Sequence, residues 1–108
     1  MNQIQISDGK GNMFTVPGDV RNQFFAVNKV YNKAMQPAEG RKSYRVTHLP
    51  TGLGLSMNRP LTKQAAFTLA KQLVELPVNW DFTDVHMMPE AERKLAMQFV
   101  REYENTRS

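Results

Sequence analysis

The sequence predicts an α+β fold: two tandem β-hairpin–helix units forming an antiparallel sheet packed on helices, plus a C-terminal helix. Three observations predict it. Alternating apolar runs at residues 4–7, 13–16 and 43–49 are bounded by glycine- or proline-bearing turns. Apolar residues at helical spacing follow each hairpin. The chain has 108 residues, enough for one core and too few for two. The whole of 1–108 is therefore read as a single domain. Its parts are a first unit at 4–36, a second at 41–76, an irregular segment or edge strand at 77–88, and a helix at 89–104.

In the first unit, residues 4–7 and 13–16 alternate around Asp8, Gly9, Lys10, Gly11 and Asn12, which tolerate positive φ. Pro17 and Gly18 end that hairpin, and Asp19 is placed to cap a helix. Val20, Phe24, Val27, Tyr31 and Ala34 give this helix its stripe, widened by Phe25, Val30 and Met35. The run 36–40 stops it.

The second unit begins with residues 43–49, turns at Pro50-Thr51-Gly52 and returns through 53–57. Two registers compete. A three-residue loop suits the turn and puts Tyr44, Val46 and His48 on the outer face, beside Gly54 and Ser56, where a base could stack. A two-residue loop buries them with Leu53, Leu55 and Met57 and leaves Arg45 outward. Hydrophobic economy favours the second. Thr62 then caps a helix whose apolar face is Ala66, Leu69, Ala70 and Leu73, and Leu76-Pro77 ends it. The two units match at a spacing of 40 to 42 residues, Ile4 to Ser7 against Tyr44 to Thr47 and Phe25 to Lys29 against Phe67 to Lys71.

Residues 78–85 form either an edge strand, because Val78, Trp80 and Phe82 alternate, or an irregular segment pinned by Trp80. Pro89 opens the last helix, with Glu90 and Glu92 at its positive end and Ala91, Leu95, Phe99 and Tyr103 as its stripe.

Charge gives the main functional indication. Residues 1–74 carry ten Lys or Arg against three acids, and residues 75–108 carry four against seven. From Gly40 to Val74 there is no Asp or Glu. Arg41, Lys42, Arg45, His48, Arg59, Lys63 and Lys71 are thus the candidate contacts to nucleic acid or to an acidic protein surface. Trp80, Phe82, Met87 and Met88 form a second candidate, a protein-docking patch, with a lid over the core as the favoured alternative.

Catalysis is not expected. With no cysteine there is neither a thiol nucleophile nor a thiolate zinc site. Asp81, Asp84, His86 and Glu90 lie close in sequence but lack an established metal-ligand spacing, so no metal and no cofactor are expected. The absence of a secretory signal and of a membrane-spanning apolar run points to a cytoplasmic protein.

The hairpin and Thr-capped, Ala-rich helix of 41–76 are similar in outline to the three-stranded-sheet-and-helix DNA-binding modules of phage integrases and plant transcription factors. The chain departs from them in having no third strand just before Tyr44. The resulting expectation is a non-catalytic nucleic-acid-binding protein. The alternative is a small phage or mobile-element type protein that inhibits or adapts a host complex by protein contact.

Overall fold

The computed structural model describes residues 2–8, 10–32, 34, 36–55 and 60–107. Among these, five antiparallel strands follow one another across the sheet in chain order. They are β1 (Asn2–Ser7), β2 (Met13–Val20), β3 (Phe25–Lys29), β4 (Lys42–His48) and β5 (Leu61–Thr62). Two helices follow, α1 (Lys63–Leu73) and α2 (Glu90–Arg107), joined through a 3₁₀ turn at Val85–Met87. The α+β class and the antiparallel sheet are as expected. The tandem plan holds only for the second unit.

The first unit contains a strand where a helix was expected. Phe25 to Lys29 pairs in register with Tyr44 to His48, and Asp19 and Val20 at the end of β2 pair with Val27 and Ala26. Two local features decide against the helix. The Asn22 side chain accepts from the backbone amides of Phe24 and Phe25, at 3.0 and 2.9 Å, and so folds the chain into a turn. Beyond it Phe25 and Val27 face one side of the sheet and Ala26 and Asn28 the other, a period of two that the helical stripe overlaps. Asp19 accordingly lies in a strand and caps nothing. Pro17 and Gly18 also fail to end β2. Pairing with β3 starts only at Asp19, so the missing N–H of Pro17 interrupts no bond to β3.

The second hairpin has the parity of the economical register. Thr47 lies opposite Gly54, the amide of His48 donates to the carbonyl of Leu53 and the amide of Leu55 to that of Val46. Val46 and His48 are buried on the helix side with Tyr44 half-buried beside them, and Arg45 points to the other face. The returning residues 53–55 form only an isolated bridge, so β5 supplies the paired edge beside β4. Ser56 and Met57 lie outside the described residues.

Helix α1 follows its sequence signals. The Thr62 hydroxyl accepts from the Ala65 amide at 3.2 Å, and Ala66, Leu69, Ala70 and Leu73 are buried. They pack with Phe25, Val27 and Val46 into the main core, where each large side chain contributes about 1.5–3 kcal/mol. Residues 78–82 take the irregular form, pinned by Trp80, whose indole N–H donates to the Leu73 carbonyl at 2.9 Å. Helix α2 covers this segment with Ala96, Val100 and Tyr103, while Leu95 and Ala91, expected in its stripe, stay exposed. The Tyr103 hydroxyl donates to the Ala65 carbonyl at 2.6 Å and joins the two helices.

The other sheet face carries a smaller core of Ile4, Val16 and Ala26, with Ile6, Tyr31 and Leu49 against it. The sheet curls over this core. At its far side the Ser7 amide donates to the Gly52 carbonyl at 2.8 Å, so the loop after β4 lies against β1. Gly52 makes that turn with φ +74°.

Candidate nucleic-acid interface

A stripe of cations and aromatic rings runs from the end of β2 across α1 to the start of β4. Its centre is Phe67, on the flank of α1 left open by the buried Ala66–Ala70 face. The Arg21 guanidinium carbon sits 4.0 Å from the Phe67 ring centroid and the Lys63 ammonium 5.6 Å from it. Lys63 also approaches the ring of Tyr44 at 6.0 Å, and Lys29 reaches the same ring at 5.9 Å. Each ring is half-buried and has two positive side chains within 6.0 Å of its centroid.

Local structure places these groups. In α1, Lys63, Phe67 and Lys71 are four residues apart and share one face of the helix. Asn22 holds the Arg21 turn against α1 by donating to the Ala70 carbonyl at 3.1 Å. Lys29 lies beside Tyr44 because the two are register partners, and Lys42 pairs with Thr62, next to Lys63. Arg41 precedes Lys42 and is exposed. Among the described residues the stripe contains one ion pair, Lys63 to Asp19 at 3.5 Å, and both groups are partly open to solvent. A surface pair of this kind contributes about 0–1 kcal/mol and is screened by salt.

The structure thus puts Lys63 and Lys71 on one face of α1, Lys42 beside the start of that helix and the exposed Arg41 next to Lys42 in the chain, and separates Arg45 and His48 from them. Arg45 projects from the opposite sheet face. Burial lowers its pKa, though a guanidinium remains charged at any ordinary pH. His48 is 4% exposed and is a core residue. Its Nε2 donates to the Trp80 carbonyl at 2.7 Å and its Nδ1 lies 2.8 Å from the Thr51 hydroxyl. Such a ring has no free edge to offer a phosphate. Arg59 lies outside the described residues.

Of the candidate docking patch, Trp80 and Phe82 belong to the lid over the core and not to the surface. Trp80 and Phe82 are buried, Phe82 stacked on His48 with centroids 4.6 Å apart, because this segment fills the space between the sheet and α2. Met88 is half-buried and Met87 is 67% exposed. Asp84 accepts from the His86 amide at 2.9 Å and so caps the 3₁₀ turn. Among the described residues no three His, Asp or Glu converge as a ligand set for a metal. No helix among them is long and apolar enough to cross a membrane.

Sequence reasoning missed Arg21 and Lys29. Both sit in the stretch expected to be helical, where their neighbours across the sheet could not be inferred. The signal available was the alternation around Lys29, which as a strand residue is drawn to the basic hairpin. No protein family, curated protein or solved structure matches this chain.

Proposed function

We propose that this is a non-catalytic binding protein that holds single-stranded nucleic acid along the stripe from Lys71 to Arg41. The observation that carries the reading is the placement of Tyr44 and Phe67, each flanked by two cations. Rings on which bases stack, between charges that track phosphates, form the usual sequence-tolerant platform for a single strand. Arg21, Lys29, Arg41, Lys42, Lys63 and Lys71 are the phosphate contacts, and Arg45 and His48 take no part.

The test is fluorescence anisotropy with a labelled single-stranded oligonucleotide across a salt series. Affinity should fall steeply with salt, with a slope of roughly −0.7 per phosphate contact in log–log form. Salt-independent binding, or no binding to DNA or RNA at low salt, would overturn the reading. In that case an acidic protein that co-purifies after nuclease treatment, and is released by salt, would assign the same stripe to protein contact.

A further inference from the structure

The face of the sheet away from α1 encloses a cavity of about 750 Å³. Its floor is Asn28, Arg45 and Thr47 on β3 and β4, one wall is Ile6 and Phe14 on β1 and β2, and residues 52–54 form the other. The polar floor is already internally bonded. The Thr47 hydroxyl donates to Asn28 Oδ1 at 2.6 Å, and Asn28 Nδ2 donates to the Lys29 carbonyl at 2.8 Å.

Arg45 is the exception. It is half-buried, yet among the described residues its guanidinium has neither a carboxylate in ion-pair range nor a hydrogen-bond acceptor. It lies flat against Gly54, where any Cβ would overlap it. Among the described residues Asp8 is the only carboxylate lining the cavity, and it is engaged within the β1–β2 loop. Its oxygens accept from the Lys10 amide at 2.7 Å, the Asn12 amide at 3.2 Å and the Asn12 side chain at 2.8 Å. Lys10 also lines the cavity, its charge offset by Asp8, whereas the ammonium of Lys29 is directed to Tyr44 on the other face. A half-buried guanidinium without a protein counter-charge keeps its donors free for an anionic ligand.

We propose that this cavity binds a small organic anion, its anionic head held by Arg45 and its apolar body against Ile6 and Phe14. A phosphate monoester or a carboxylate satisfies the two-pronged donor geometry of the guanidinium equally well. Either fits beside an apolar wall. The site is separate from the stripe on the α1 side and can fail or stand independently of it.

Heteronuclear NMR titration tests the proposal with four probes: phenyl phosphate, benzoate, inorganic phosphate and phenol. Phenyl phosphate or benzoate should saturate, with shifts centred on the amides of Asn28, Thr47 and Gly54, and should bind more tightly than inorganic phosphate or phenol. Arg45→Gln should weaken that binding at least tenfold, and Arg45→Lys should retain part of it. Gly54→Ala, which displaces the guanidinium without removing it, should also weaken it. Phenol binding as well as phenyl phosphate, equal affinity in wild type and Arg45→Gln, or no saturation by either anion would overturn the proposal. Lys63→Glu should leave phenyl phosphate binding unchanged, and Arg45→Gln should leave oligonucleotide binding unchanged, which separates this site from the stripe.

Discussion

His48 Nε2 lies 2.7 Å from the carbonyl oxygen of Trp80, a bond that fastens the end of β4 to the segment leading into α2. The neutral ring meets both of its neighbours: Nε2–H serves the carbonyl, and Nδ1 accepts from the Thr51 hydroxyl 2.8 Å away.

Stability should therefore depend on the charge of this ring. Burial lowers the His48 pKa below 6.5, outweighing the opposing effect of the Trp80 carbonyl. As pH falls through 6.5 the unfolded chain takes up the proton first, so the stabilisation is complete above that pH and declines below it. In His48→Gln this contribution is absent. The gap in melting temperature between wild type and His48→Gln should narrow between pH 7.5 and pH 5, with pH 6.5 inside the window. A gap that widens on acidification would show that the folded ring prefers its charged form.

Single changes in the stripe should alter binding far more than folding. Arg21→Gln removes a cation–π contact of about 0.5–1 kcal/mol from an exposed site. Oligonucleotide affinity should fall, and the log–log salt slope should become shallower by roughly 0.7 for this variant and for Lys63→Gln. Anisotropy in a salt series, with thermal melts on the same samples, reads both effects.

Trp80→Phe should be costly even though aromatic character is kept. It leaves the Leu73 carbonyl at the end of α1 without the indole donor, a loss of about 1–3 kcal/mol before any cavity is counted. Because Trp80 is the only tryptophan and is buried, its emission should shift to the red on unfolding of the wild type. Chemical denaturation followed by circular dichroism in both proteins gives the difference in midpoint.

Tyr103→Phe removes the hydroxyl bond between the two helices and should lower stability by about 1 kcal/mol. Its effect on the oligonucleotide should be nil, since Tyr103 lies in the core away from the stripe. Denaturant midpoints and anisotropy on the same variant check the two parts.

The elements best read from sequence were those with strong local signals. Thr62 with its following apolar face identified α1, and Pro89 with Glu90 and Glu92 identified the start of α2. Tyr44, Val46 and His48 placed β4 once burial was weighed against turn chemistry. Residues 20–35 misled because Phe24, Val27 and Tyr31 satisfy a helical spacing while Phe25 and Val27 satisfy a strand. The choice between them was made by the Asn22 turn and by long-range pairing to β4, neither of which a local pattern reveals. The stripe was legible in part for the same reason. Arg41, Lys42 and Lys63 belong to one basic window, whereas Arg21 and Lys29 join them only through the β3–β4 register. His48 and Trp80 were also named as candidate contacts, because polar atoms on a ring suit a binding surface as well as a satisfied core position. In the fold those atoms find backbone partners inside.

The loop that crosses β1 has a further effect on how copies of this chain meet. An incoming strand adding to that margin would need the amide of Ser7, which is committed to Gly52. Gly52 lies close against this strand: a Cβ at residue 52 would sit 3.2 Å from the Gln5 carbonyl. Where an unguarded sheet border invites an added strand, the Ser7 end of this one is held by its own chain.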